Sequence, residues 1–161
     1  MKNIKIVILA GLLLVAHLSW AAYPCVLRFA KTDCWPDFQV TLQPLDASTQ
    51  QPIGKPIVLD KNKYETEVLF PCQPRQNISF VATVLPTVWG ATPDTEYPSN
   101  HFWESPDELP KGANSWIVSV CFASDFSSVP IPLSQKPTCS CNFPPISQAQ
   151  SIVAPALQQT R

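Results

Sequence analysis

All 18 prolines of this 161-residue chain fall beyond residue 23, so about one residue in eight of the remainder lacks a backbone N–H. Proline breaks helix interiors and is tolerated in sheets only at edges, strand starts and bulges. Long helices are therefore excluded almost everywhere, and the chain must be built from short extended pieces. Only three glycines accompany them, Gly54, Gly90 and Gly112. No glycine-rich phosphate loop or dinucleotide fingerprint can be drawn from three such scattered positions.

The extended pieces are visible as alternation of apolar and polar residues, the signature of half-buried strands. Cys25, Leu27 and Phe29 share one face, as do Phe38, Val40 and Leu42. Tyr64, Thr66, Val68 and Phe70 alternate with Glu65 and Glu67, and the same period runs through Ile78, Phe80, Ala82 and Val84 and through Trp116, Val118, Val120 and Phe122. A short run, Ile57–Leu59, ends in the turn cluster Asp60-Lys61-Asn62-Lys63, and residues 129–133, interrupted by Pro130 and Pro132, suit an edge or cover strand. Six or seven short strands predict an all-β fold, a single antiparallel β-sandwich of immunoglobulin-like or prealbumin-like type. Residues 52–85 read as a strand–turn–strand–turn–strand meander. Trp35 directly follows Cys34 instead of lying mid-strand between two cysteines, so the immunoglobulin Cys…Trp…Cys pattern is not met.

The amino terminus has a different character. Lys2 and Lys5 precede an apolar run from Ile6 to Leu18, then Ser19-Trp20-Ala21-Ala22. This is the layout of a secretory signal peptide over residues 1–21, cleaved after Ala21. The run has 13 residues, short of the ~20 that a permanent spanning helix needs. The mature chain of 140 residues then carries 9 basic residues (11 less Lys2 and Lys5) against 12 acidic ones, a net charge of −3. Without a basic run it is unsuited to nucleic acid or anionic lipid. Ala22-Tyr23-Pro24 before Cys25 is not a lipidation site, which would place the cysteine directly after the cleavage point.

All six cysteines, Cys25, Cys34, Cys72, Cys121, Cys139 and Cys141, lie in the exported part. An even number in an exported chain reads as a three-bridge framework, with pairing left open among 15 connectivities. A zinc site would want C-x₂-C pairs, and the nearest approach is Cys139-Ser140-Cys141. Side chains two apart on an extended segment are poorly placed to bond each other, so Cys139 and Cys141 are expected to reach different partners and pin the C-terminal segment to the body.

Residues 86–115 stand out as a thirty-residue connection with five prolines, Trp89, Tyr97, Phe102, Trp103, the only mature histidine, His101, and five acids against Lys111. Loops of that length in a compact domain are commonly functional. Catalysis would require His101, yet the cysteines are committed to bridges and no G-x-S-x-G element occurs. Glu96, Glu104, Asp107 and Glu108 could form a glycosidase-like acid pair or bind Ca²⁺, but no calcium-loop spacing is present and a solvated acidic loop is the simpler reading. The expectation is a non-enzymatic protein without metal or cofactor. Aromatic residues concentrate interface energy, which makes Tyr97, Phe102 and Trp103 the candidate interaction residues, with Trp103 the exposed anchor and Trp89 the packer. Asn77-Ile78-Ser79 matches a glycosylation sequon but falls inside a strand. Residues 22–143 are thus read as the disulfide-bonded β domain, and residues 144–161, Gln-rich and uncharged before Arg161, as a tail that is disordered or ordered by a partner.

The signal segment, the cysteine-bearing strand starts and the Gln/Pro-rich tail together resemble small exported accessory subunits of bacterial envelope assemblies. The likeness is to those decorating the outer-membrane core complex of type IVB (Dot/Icm-type) secretion systems. It implies an interaction subunit in the periplasm or at the outer membrane, with other envelope proteins as partners. A free secreted module that binds carbohydrate or a protease is the alternative.

Overall fold

The computed structural model describes residues 23–88 and 90–130 together with Cys139, Cys141 and Phe143. The expected signal peptide, Trp89, residues 131–133 of the expected last strand and the tail lie outside the described residues.

Eight strands form two sheets with no helix among the described residues. Sheet A is three-stranded: β1 (Tyr23–Lys31) runs between β4 (Glu65–Cys72), antiparallel, and β8 (Trp116–Phe122), parallel. Sheet B joins β3 (Ile57–Leu59), β2 (Gln39–Asp46) and β5 (Asn77–Leu85), with the short β6 (Tyr97–Pro98) and β7 (Trp103–Glu104) sharing the far edge of β5. The core lies between the sheets. Leu27, Phe29 and Val120 from sheet A meet Val40, Leu42, Ile78 and Phe80 from sheet B, all fully buried. Trp35 closes one end of the core, edge-on to Phe122 at 4.8 Å and to Phe38 at 5.1 Å.

The prolines fall where the ladder tolerates them. Pro44 lies beyond the reach of β3, and its carbonyl accepts from the Ile53 amide at 2.8 Å, so its missing N–H faces a loop rather than a strand. Pro71 sits on the edge strand β4.

Two features differ from the sequence-based expectation. Residues 52–85 are not a meander, because β3, β4 and β5 belong alternately to sheets B, A and B. Alternation marks which side of a strand is apolar, and it is silent on which sheet accepts the strand. The turns at Asp60–Lys63 and Gln73–Gln76 serve as crossings between layers. In addition, β1 and β8 are parallel in an otherwise antiparallel sandwich. The immunoglobulin order places the first two strands side by side. Here β1 and β2 lie in opposite sheets.

Strand β1 is buried on both faces. Val26, Arg28 and Ala30, on the side away from the core, are buried as well, though less completely than Cys25, Leu27 and Phe29. Their neighbours in register are Leu69, Glu67 and Glu65 on β4 and Ile117, Ser119 and Cys121 on β8. Arg28, 9% exposed, forms an ion pair with Glu67 across this row.

Three disulfides hold the framework, all anchored in or beside sheet A. Cys25–Cys72 ties β1 to β4, Cys34–Cys139 ties the loop after β1 to the C-terminal segment, and Cys121–Cys141 ties that segment to the outward side of β8. Their Cα separations of 6.0, 5.8 and 5.8 Å are those of ordinary bridges. Cys139 and Cys141 reach different partners, as two residues on an extended segment should. A compact fold held this way fits an extracellular or exported protein.

Candidate functional site

Residues 86–115 do not form a free loop. The segment lays two short strands, β6 and β7, along β5, and returns toward the β4–β5 turn. Its far side is closed by the bridge between Ser99 and Phe126, with the Asn100 amide donating to the Asp125 carbonyl at 2.9 Å.

The three candidate aromatics take three different places. Tyr97, 5% exposed, belongs to the core, and burial pushes its phenol above the usual value. Trp103 is half-buried, edge-on to the core ring Phe80 at 4.9 Å, and the imidazole of His101 lies against its other side at 4.0 Å. Phe102 alone is turned to solvent, 58% exposed. The expected exposed anchor, Trp103, is thus a packing residue with one outer edge. The physical reason is register: β7 pairs Trp103 with Ile78, whose own side chain is in the core. Side chains alternate along a strand, so Phe102 takes the opposite direction.

His101 is engaged locally, its Nδ1 bonded to Asn100 Oδ1 at 2.5 Å and its ring on Trp103. The nearby Ser99 hydroxyl donates to the His101 carbonyl at 2.8 Å and accepts from the Phe80 amide, so it acts as a backbone clamp. All six cysteines are bonded, and no cluster of three metal-capable side chains occurs among the described residues.

The acids of the segment are arranged around Arg75, in the β4–β5 turn. Asp107 receives a forked contact from Arg75 Nε and Nη2, and this pair holds the Asp107 carboxyl below the usual carboxylate range while raising the guanidinium. Glu104 adds a second negative charge facing Arg75. Arg75 adopts φ 58°, a left-handed backbone uncommon for a residue with a side chain. Ser105, 1% exposed, fixes the wall beside it. Its hydroxyl accepts from the Gln76 amide at 2.8 Å and donates to the Gln73 carbonyl, and its own amide donates to the Gln76 carbonyl at 3.0 Å. The Tyr23 hydroxyl donates to the Pro106 carbonyl at 2.6 Å, tying the same wall to the start of β1.

Between these walls lies a recess of about 400 Å³, lined by Arg75, Glu104, Pro106, Asp107, Pro110 and Trp116 among others. A second recess of about 300 Å³ lies by sheet A beside Arg28, Glu65, Glu67 and Phe143. Sequence reasoning placed Trp116 only among core-facing strand residues. The missed signal was its position at the first residue of β8, directly after the long connection, where a strand side chain meets loop residues.

Comparison with family models, with characterised proteins and with solved structures finds no match for this chain. Among the described residues no helix is long and apolar enough to cross a membrane.

Proposed function

We propose that this chain is a non-enzymatic exported bacterial protein, retained in the periplasm or at the outer membrane as an interaction subunit of an envelope assembly. The type IVB secretion core is the kind of assembly its layout resembles. The observation that supports this reading is Phe102, an exposed ring carried on an ordered support. Trp103, His101 and the β7 pairing with β5 fix the backbone that presents it. A preorganised aromatic loses little entropy on binding and is the kind of side chain on which interface energy concentrates. Expression in a bacterial host that carries the assembly, followed by separation of envelope and supernatant, tests the role. The wild-type chain is expected in the envelope fraction within larger complexes, and Phe102→Ala is expected to shift it toward the soluble fraction. A wild-type chain recovered as a free monomer in the supernatant overturns the assembly role.

A further inference from the structure

We propose that the recess between the β4–β5 turn and residues 104–116 is a binding site for a neutral saccharide, a function separate from the assembly role proposed above.

Its lining combines two chemistries. Trp116, Pro106 and Pro110 supply apolar surface, while Arg75, Asp107 and Glu104 place one guanidinium and two carboxylates together on the rim. The apolar C–H face of a pyranose carries slight positive charge and complements the negative face of an indole. Its hydroxyls both donate and accept, so they suit a rim where donors and acceptors stand side by side. The Arg75–Asp107 fork uses Nε and Nη2, and among the described residues neither Arg75 Nη1 nor the Glu104 carboxylate makes a hydrogen bond. Donor and acceptor capacity therefore remains on both sides of the fork.

Charge decides against other ligand classes. Two carboxylates against one guanidinium disfavour phosphate, sulfate and uronic acids. Arg75, already occupying the side facing both acids, disfavours a cation. The volume of about 400 Å³ is at the lower end of small-molecule sites and admits a chain end of one or two rings.

The site is built before ligand arrives. Ser105 locks the loop to the β4–β5 turn by three hydrogen bonds, Tyr23 holds Pro106, and the Ala113 amide donates to the Pro110 carbonyl at 2.8 Å. Such supports fix the backbone that carries the rim, which lowers the ordering cost of binding.

Nuclear magnetic resonance titration of the disulfide-bonded protein with maltotetraose, cellotetraose and chitotetraose, with tetragalacturonate as the acidic control, tests the proposal. At least one neutral tetrasaccharide is expected to shift the Trp116 indole N–H and the Arg75 Nε–H saturably, with Kd of about 1 mM or tighter. Glu104→Gln keeps the shape of an exposed side chain, and Arg75→Gly suits the left-handed backbone at that position. Both variants are expected to fold and to bind about tenfold more weakly. The proposal is overturned if none of the three neutral probes moves these signals at about 10 mM. It is overturned equally if both variants bind like wild type, if the shifts gather at Phe102 and His101, or if tetragalacturonate binds more tightly. Envelope fractionation reads the assembly role separately, so loss of one result leaves the other intact.

Discussion

The two sheets are held together by different means. Sheet A contains or adjoins every disulfide, and its central strand β1 is buried on both faces. Sheet B and the 86–115 segment carry no cysteine. They rest on the eight-pair β2–β5 ladder and on hydrogen bonds from single side chains such as Ser105 and Ser99. The difference follows from what each sheet can gather locally. β2 and β5 are long antiparallel neighbours with clean alternation, so they bury Val40, Leu42, Ile78 and Phe80 without covalent help. β1 and β8 are parallel and distant in sequence, so closing sheet A costs more chain entropy. A bridge that constrains the unfolded chain offsets that cost most effectively. Both candidate surfaces, Phe102 and the Trp116 recess, involve the 86–115 segment rather than the bridged C-terminal segment.

The largest effect that could break this contrast is removal of the Cys25–Cys72 bridge. Cys25→Ala with Cys72→Ala is expected to cost about 2–4 kcal/mol in denaturant unfolding. Native-state hydrogen exchange should show β1, β4 and β8 losing protection while β2 and β5 keep theirs. Equal loss in both sheets would mean that the sandwich opens as one unit and that the division proposed here is wrong.

The aromatic segment gives the next effect. Trp103→Ala removes an edge contact with Phe80 and is expected to destabilise by about 2 kcal/mol, less than a fully buried tryptophan because its outer edge is open. Phe102→Ala should change stability by no more than about 0.5 kcal/mol. Thermal unfolding of both variants separates a packing residue from a presented one. Equal destabilisation would remove Phe102 from the interaction surface.

Much of sheet B was legible in the sequence, because its strands are bounded on one side by solvent. Gln39, Thr41 and Gln43 against Val40 and Leu42 can only be read one way. Sheet A was harder. Arg28 and Lys31 look like surface charges, yet both are enclosed, Lys31 to 2% exposure. The Lys31 ammonium donates to the Phe38 and Asp60 carbonyls and so joins two loops that are distant in sequence. Burial lowers its pKa against the pull of Asp60 and Asp37. A local pattern holds no record of such a long-range partner. The separate destinations of Cys139 and Cys141 were legible from backbone geometry alone, whereas their partners were not. Tyr97 and Trp103 were recognised as important but assigned outward, because composition marks an aromatic cluster without saying which ring the ladder turns inward. The recess escaped notice for a related reason: its parts, Arg75, Asp107 and Trp116, meet only through the crossing of β4 to β5.

Ser105 offers a smaller test of the non-covalent side. Ser105→Ala leaves the half-buried Gln76 amide without its side-chain acceptor. A loss of about 1–2 kcal/mol is expected, with faster amide exchange confined to residues 73–76 and 104–107. Should exchange accelerate throughout sheet B, the wall of the recess is part of the global core and not a separately fixed element.

The smallest effect concerns pH and the β2–β3 turn. Asp46 accepts from the amides of Ser48 and Thr49, each at 3.0 Å, from the Ser48 hydroxyl, and from Gln76 Nε2 at 3.0 Å. These donors, the Ser48 hydroxyl first and Gln76 next, hold its carboxyl well below the ordinary value of 3.8. The unfolded chain therefore takes up the proton first as pH falls. The Asp46 contribution is complete above about pH 4 and declines below it, toward the depressed folded-state value. Because the group is only half-buried and is screened by solvent, the change should be modest and should add less than one proton to the slope of stability against pH. Asp46→Asn is expected to flatten that slope between about pH 4 and pH 2 while leaving neutral-pH stability within about 1 kcal/mol of wild type. Since Gln76 also bonds Ser105, the same variant reports whether the turn beside the recess depends on Asp46. Unchanged exchange at the Gln76 amide would show that Ser105 alone fixes it, and acceleration there would place the β2–β3 turn among the supports of the recess.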